Sequence, residues 1–273
     1  FSAAGFELCL VGGWVRDAVM GRGESDLDFT TNATPEQVLH LLEGWADTTW
    51  DVGIRFGTVG ASYAGQLLEI TTYRAEQYDA DSRKPTVNFG TNLNDDLIRR
   101  DFTINAMALE LPEGTLHDPF GGLNDVAAGL IRTPSTPEES FSDDPLRMMR
   151  AARFAAQLKF DVAPEVVDAM TTMSSRIEII SAERVRDELS KLLLGADPRR
   201  GLMLLVETGL AEYVLPELPK LQLEIDEHHR HKDVYEHSLI VLEQAIDLET
   251  SHTPNLEPDL VLRLAALLHD IGK

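Results

Sequence analysis

Residues 10–31 read LVGGWVRDAVMGRGESDLDFTT, and the rest of the chain is understood from them. Leu10 and Val11 end an apolar strand, Gly12 and Gly13 make a turn, and a short helix follows. A polar loop then leads into a second strand carrying Asp26 and Asp28. Side chains alternate along a strand, so the two carboxylates share one face while Leu27 and Phe29 turn into a core. Paired carboxylates on an exposed face form a hard-oxygen site suited to Mg²⁺. Gly12 and Gly13 precede a helix whose free N–H groups can hold an anion, and their missing Cβ atoms let a phosphate come close. Arg16, in the first helical turn, adds a charge-assisted donor. A lone D-x-D is most often a solvated strand face, and a lone Gly-Gly is most often a turn. Their joint spacing favours a phosphate cradle beside a metal-binding pair, which is what nucleotidyl transfer needs.

GGWVRD followed by SDLDF resembles the active-site signature of the class II polymerase-β-like nucleotidyltransferases, the branch holding tRNA CCA-adding enzymes and bacterial poly(A) polymerases. The resemblance implies an α+β fold whose nucleotidyltransferase head, with a mixed sheet, covers residues 1–122. An all-helical neck with a nucleotide-selecting helix would occupy 123–195, and a helical body 196–273. The implied reaction is attack by an RNA 3′-hydroxyl on the α-phosphate of CTP or ATP, with pyrophosphate leaving. Mg²⁺ held by Asp26 and Asp28 would assist it, and tRNA, CTP and ATP are the implied partners.

A chain of 273 residues can hold one large domain or two to three smaller ones with real cores. It starts at Phe1 without a methionine and stops at Lys273 inside an apparent helix, so it reads as a piece of a longer protein. With 43% hydrophobic and 26% charged residues it has the composition of a globular protein. No apolar run reaches membrane-spanning length, and no basic-then-apolar leader opens the chain. The single cysteine, Cys9, excludes an intramolecular disulfide and suits a reducing cytoplasm. The sequence sets no oligomeric state. Its 24 Lys plus Arg against 46 Asp plus Glu give a formal net charge of −22, which by itself argues against a polyanion partner. The arginines are concentrated, however: Arg99, Arg100, Arg147, Arg150, Arg153, Arg184 and Arg186 lie in the middle of the chain. Such a stripe on an acidic body binds RNA weakly and with strong salt dependence.

In chain order, Thr34 caps a helix with Pro35 at its first position and Gln37 completing a capping box, and Val38, Leu41 and Leu42 form its apolar face. Gly57–Tyr63 and Leu67–Tyr73 read as a hairpin turning at Gly65-Gln66. Glu69 on its second strand is either a third metal-site carboxylate or an ordinary exposed glutamate. Residues 76–94 form a long polar loop, which the resemblance places beside the active site. In DDLIRRDFTINAMAL, helical spacing puts Leu97, Phe102 and Ala106 on a packed face and Arg100, Asp101 and Asn105 on another. The family's corresponding motif meets ribose and phosphates, which makes Asp101 an acceptor for the 2′-hydroxyl; an ordinary surface helix is the alternative. A hairpin over Met107–Asp118 and the DPFGG hinge at 118–122 close the strand-rich region.

SFSDDPLRMMRAARFAAQLKF carries the most specific chemistry. Pro145 at a first helical position makes Asp144 the N-cap. Arg147, Arg150 and Arg153 recur every three residues on one side, with Met148, Ala152 and Ala155 on the buried side. The stripe resembles the protein template of class II CCA-adding enzymes, with Asp143-Asp144 where the family usually has Glu-Asp. Cytosine and adenine each show a ring-nitrogen acceptor beside an amino donor, whereas uracil and guanine show a ring N–H beside a carbonyl. An Arg147 donor with an Asp144 acceptor therefore matches C and A and mismatches U and G. A site built this way rejects a mispaired base by roughly 10⁴-fold.

ERVRDEL resembles the family's bracing helix, with Ser181 as N-cap and Gly195 as stop, and a further helix ends at Gly209 and Pro216. The terminal HHRHKDVYEHSL and LAALLHDIGK resemble the opening of an HD phosphohydrolase domain, with His237, His269 and Asp270 as its ligands and a further downstream Asp required. The cluster His228, His229 and His231 reads instead as a polar helix end. Two rivals to CCA addition follow: a poly(A) polymerase sharing every head motif, and an HD phosphohydrolase whose head only binds RNA.

Overall fold

The computed structural model of the chain describes residues 1–23, 26–74, 90, 92–221, 234–252 and 256–271. Most of the polar loop at 76–94 and the cluster His228, His229 and His231 lie outside the described residues. The chain divides into two compact units, one of residues 1–128 with 132–136 and one of 129–131 with 137–273.

The first unit contains β1 (Leu8–Val11), α1 (Gly13–Val19), β2 (Leu27–Thr31), α2 (Pro35–Leu42), β3 (Thr48–Trp50), β4 (Thr58–Tyr63), β5 (Gln66–Thr72), α3 (Leu93–Leu97), β6 (Ala108–Leu111), β7 (Thr115–His117) and α4 (Gly122–Ala128). Its described strands form one seven-stranded sheet in the order β3-β4-β5-β2-β1-β6-β7. Strand β1 runs antiparallel to β2 and β6, whereas β2 pairs parallel with β5, so the sheet is mixed as the resemblance implies. The β2–β5 register sets Asp28 opposite Glu69. Leu27 and Phe29 turn inward as the alternation requires, packing against a core of Val38, Leu42, Val59, Ala61, Leu68 and Ile70. The capping box of α2 is formed, with Thr34 Oγ1 accepting from Gln37 N and Gln37 Oε1 accepting from Thr34 N at 2.8 Å. The hairpin turns one residue earlier than its sequence suggests. Tyr63 pairs with Gln66, and Ala64 and Gly65 both take positive φ, the combination a two-residue turn needs to match strand twist. Strand β3 has no counterpart in the sequence reading. It brings Trp50 across Gly60, where a Cβ would lie 1.9 Å from the indole nitrogen.

The stretch DDLIRRDFTINAMAL departs from its helical reading. Helix α3 stops at Leu97, and Thr103–Asn105 make a single 3₁₀ turn. Two local bonds explain the break. Asp101 Oδ1 accepts from Phe102 N at 2.8 Å, and Thr103 N donates to the Arg132 carbonyl at 2.8 Å rather than to a preceding turn. Leu97, Phe102 and Ala106 are buried as expected, but Asp101 and Asn105 are buried with them.

The second unit contains β8 (Leu130–Ile131), α5 (Pro137–Asp143), α6 (Leu146–Leu158), β9 (Asp161–Val162), α7 (Pro164–Met173), α8 (Ala182–Leu193), α9 (Pro198–Glu207), α10 (Ala211–Val214), α11 (Glu217–Lys220), α12 (Val234–His252) and α13 (Leu260–Leu268). It is helical apart from the short parallel β8–β9 pair. Helix α6 is packed by α5, α8 and α9 together, so its arginine side is a narrow seam and not an open stripe. Arg147 and Arg150 are half-buried; Arg153 is buried. Its Nε donates to the buried Glu188 of α8 at 2.6 Å, and its guanidinium lies 4.0 Å over the Phe154 ring. Gly195 follows α8 as anticipated, yet its use is close approach: a Cβ there would sit 2.9 Å from the Leu192 carbonyl oxygen and 3.2 Å from Ala156. Buried Arg263 of α13 finishes that helix end, Nη1 donating to the carbonyls of Leu193 and Gly195 at 2.7 and 2.9 Å. The further helix, α9, ends just before Gly209 at φ 72, the short α10 lies between Gly209 and Pro216, and α11 follows Pro216.

Glu188→Ala would leave the Arg153 guanidinium buried without its carboxylate. Chemical denaturation should show a loss of about 3–5 kcal/mol. A loss below about 1 kcal/mol, the range of an exposed pair, would contradict the brace assigned to it.

Candidate active site

Strand β2 presents Asp28 half-buried, with Asp26 exposed immediately before the strand. Glu69 stands opposite Asp28 on β5 and is exposed. Asp28 therefore titrates above its ordinary value of 3.8, chiefly because burial penalises its charge, then because Glu69 repels it. Arg100 opposes that shift, and Asp26 adds to it.

Gly12, at φ 70, closes the other side of this carboxylate. Its positive φ is what calls for glycine, and its Cβ position lies at ordinary contact distance from Arg100 Nη1, 3.4 Å, and Asp28 Oδ2, 3.8 Å, so the turn, Arg100 and Asp28 are neighbours. Arg100 is held by Asp96, which accepts from its Nη2 at 3.3 Å and also from Thr30 Oγ1 of β2 at 3.2 Å. Arg100 Nε is buried and has no hydrogen-bond partner among the described residues.

Arg16 is buried and pinned. Its Nε and Nη2 donate to the two carboxylate oxygens of Asp17 at 2.8 and 2.9 Å, and its Nη1 donates to Asn105 Oδ1 at 2.7 Å. Asn105 Nδ2 in turn donates to Asp101 Oδ1 at 3.0 Å. Arg16, Asn105 and Asp101 thus form one buried polar chain running from the glycine turn, where Gly13 packs beside Arg16 Nη2, to the 3₁₀ turn. Residues 10–31 and 95–109, far apart in sequence, are brought together by this chain and by the β1–β6 pairing. Asp17, which completes it, and Asp96, which holds Arg100, escaped the sequence reading. Asp96 had a visible signal, an acid four residues before Arg100 on the helix side.

In the second unit, α6 begins at Leu146 with Pro145 as its N-cap, one residue later than the sequence suggests; Asp144 lies just before it, Oδ1 accepting from Leu146 N at 3.1 Å. Its other oxygen accepts from Arg184 Nη2 of α8 at 2.9 Å. A carboxylate oxygen has two lone pairs, so this bond leaves capacity for a further donor. Arg147 Nη1 donates to the hydroxyl of Ser140 on α5 at 2.8 Å. The unit also holds a second cluster: His237 on α12, with His269 and Asp270 after α13, place ligand atoms within 4.8 Å of one another. Asp270 faces both rings, at 3.8 Å from His237 Nε2 and 3.3 Å from His269 Nε2. No described helix is long and apolar enough to cross a membrane.

A mixed sheet with Asp28 on β2 and Asp26 just before it, beside a glycine turn, and a separate helical unit define the class as nucleotidyltransferases with a polymerase-β-like head. Residues 8–132 match the family described as Poly A polymerase head domain, and 159–221 the one described as Probable RNA and SrmB- binding site of polymerase A. The chain is 44% identical over 211 residues to a CCA-adding enzyme of Levilactobacillus brevis, covering 77% of this chain and 52% of that enzyme. It is 41% identical over 211 residues to the one of Geobacillus stearothermophilus, with 77% and 51% covered. Among solved structures, the Bacillus stearothermophilus CCA-adding enzyme in complex with CTP superposes with a TM-score of 0.74 at 33% identity, over 100% of this chain and 68% of that one. A tRNA nucleotidyltransferase complexed with a primer tRNA and an incoming ATP analogue gives 0.77 at 26% identity, over 99% and 74%. This chain belongs to the CCA-adding enzyme family. It spans about half the length of the curated relatives it matches.

The raised Asp28 carboxyl has a stability consequence. Between 3.8 and its folded value the folded state binds more protons than the unfolded one, so stability falls as pH rises through that window. In metal-free buffer at pH 7, Asp28→Asn should melt above the parent, and its advantage should shrink as pH falls toward 4. Equal melting temperatures at pH 7 would contradict the crowded-carboxylate geometry.

Proposed function

We propose that this chain carries the catalytic head and the base-selecting helix of a tRNA nucleotidyltransferase. It adds CMP and AMP to the 3′ end of tRNA from CTP and ATP, without a nucleic-acid template, and releases pyrophosphate. One observation carries the reading: Asp28, crowded by Glu69 and Asp26, sits against a Cβ-free turn that also admits Arg100. The CTP held by the Bacillus stearothermophilus relative, and the tRNA and ATP analogue held by another, support it. Within the reading, residues 1–122 are the head, 123–195 the neck and 196–273 the body.

The donors fit a divalent cation. Hard carboxylate oxygens of Asp26 and Asp28, with Glu69 as a third, repel one another as built, and a cation relieves that repulsion. Mg²⁺ bound there would supply Lewis-acid polarisation of the α-phosphate and acidify the attacking hydroxyl. The residues of the chain do the rest. The turn at Gly12 and Gly13 with Arg100, whose buried Nε lacks a partner among the described residues, holds the triphosphate. Arg16, locked by Asp17 and Asn105, stiffens the turn and keeps its charge beside it. Asp101, fixed by Phe102 N and Asn105, accepts from the ribose 2′-hydroxyl. Asp144 accepts from the exocyclic amine of C or A while Arg147 donates to the ring nitrogen. Arg150 and Arg153 continue that side, Arg150 toward RNA or nucleotide phosphates and Arg153 chiefly through its bond to Glu188. The cytoplasm, where tRNA is matured, is the proposed place of action.

The HD-like trio is a specific observation favouring a second activity, metal-assisted phosphoester hydrolysis in the body. The two readings separate cleanly. Asp26→Ala or Asp28→Ala should lower CMP incorporation into a tRNA lacking its 3′ terminus by about 10²–10³-fold or more, with circular dichroism unchanged. Near-normal incorporation would sink the head assignment, and phosphatase activity surviving both changes would belong to the trio.

Base selection gives a sharper outcome. Arg147→Ala deletes the donor that U and G cannot match, so discrimination of CTP over UTP should shrink by about tenfold or more. Equal loss on all four nucleotides would mean that this helix holds phosphates and reads no base.

A further inference from the structure

Arg147 and Asp144 share an anchor that lies outside α6. Ser140, on α5, is fully buried. Its carbonyl oxygen accepts from Asp144 N at 3.2 Å, and its hydroxyl accepts from Arg147 Nη1 at 2.8 Å. The same carbonyl lies 3.4 Å from that Nη1. Arg147 N closes the ring by donating to the Asp144 carbonyl at 3.0 Å. One residue thus fixes the backbone of the acceptor and the guanidinium of the donor.

An arginine side chain has a long, rotamer-rich stem, and a free guanidinium offers its donors in many directions. Selection by hydrogen-bond pattern demands one direction. A donor that can swing reaches a carbonyl of uracil as readily as a ring nitrogen of cytosine. A charge-assisted bond to a buried, rigidly placed hydroxyl narrows that freedom. We propose that Ser140 is a positioning residue for base selection, which sets the direction of the Arg147 guanidinium and through it the preference for C and A. This rests on the reading of Arg147 as the base-facing donor. Ser140 itself touches no nucleotide.

The test is a double-mutant cycle on nucleotide selectivity, with the full-length protein, Mg²⁺ and a tRNA lacking its terminal nucleotides. The ratio of kcat/KM for CTP to that for UTP is measured for the parent, Ser140→Ala, Arg147→Ala and the double variant. Ser140→Ala should lower the ratio by about tenfold, the worth of one hydrogen bond to a charged group, with KM for tRNA unchanged. In an Arg147→Ala background the same change should do nothing further to the ratio, because Ser140 acts through that side chain. A Ser140→Ala variant with a lower melting temperature but parental selectivity would overturn the proposal and leave a mere joint between α5 and α6. Independent multiplication of the two effects would overturn it as well. Should Arg147→Ala itself keep the parental ratio, the underlying base-reading assignment falls, and this proposal with it.

Discussion

Strand β2 holds a carboxylate where negative charge is disfavoured, and the first unit is organised around tolerating it. Asp28 is half-buried, opposite Glu69 through the parallel β2–β5 register, with Asp26 close by. Hydrogen bonding to β1 on one side and β5 on the other keeps the strand from turning these acids away from one another. Arg100 supplies the compensating charge, and Asp96 ties Arg100 back to Thr30 of the same strand. Gly12 forms the opposite wall. A fold that keeps like charges together gives up stability for a site, and perturbed carboxyls of this kind concentrate where ligands bind.

The second unit solves a different problem, the aiming of two side chains. Several of its arginines lie beside acids: Arg150 and Arg153 with Glu188, Arg184 with Asp144, Arg186 with Asp187. The chain is strongly acidic, −22 overall, so these acids set the surroundings of its arginines. These arginines are not pooled into a basic patch; each is oriented by a partner. Asp144 shows the result, accepting from Leu146 N with one oxygen and from Arg184 with the other.

Much of the head was legible from sequence because local and global signals agree there. The inward turn of Leu27 and Phe29, the capping box at Thr34 and Gln37, and the hairpin after Thr58 each rest on a short-range rule that packing reinforces, whereas Asp26 falls just outside the strand expected to carry it. Where a long-range bond overrode a local pattern, the reading failed. Helical spacing across residues 97–106 is real, but Thr103 N bonds to Arg132 and Asp101 bonds to its own neighbours, so the helix never forms. The three-residue recurrence of Arg147, Arg150 and Arg153 likewise suggested an open stripe. Neighbouring helices cover that side, a fact no single helix can announce. The candidate residues of the proposed site carry motifs, whereas the residues that hold them do not. Asp17, Asp96, Ser140 and Glu188 carry no motif of their own, and only the fold brings Ser140 beside Arg147 and Glu188 beside Arg153.

The central claim, that a fixed Asp–Arg pair in an Mg²⁺-dependent transferase writes a C- and A-restricted end, is tested most directly by sequencing its product. The full-length protein is given a tRNA lacking its last three nucleotides with all four nucleoside triphosphates, and the extended 3′ ends are read. The account predicts C, C, A in that order, followed by arrest. A tail of adenosines would identify a poly(A) polymerase, and uridine or guanosine at matched frequency would contradict base selection by the protein itself.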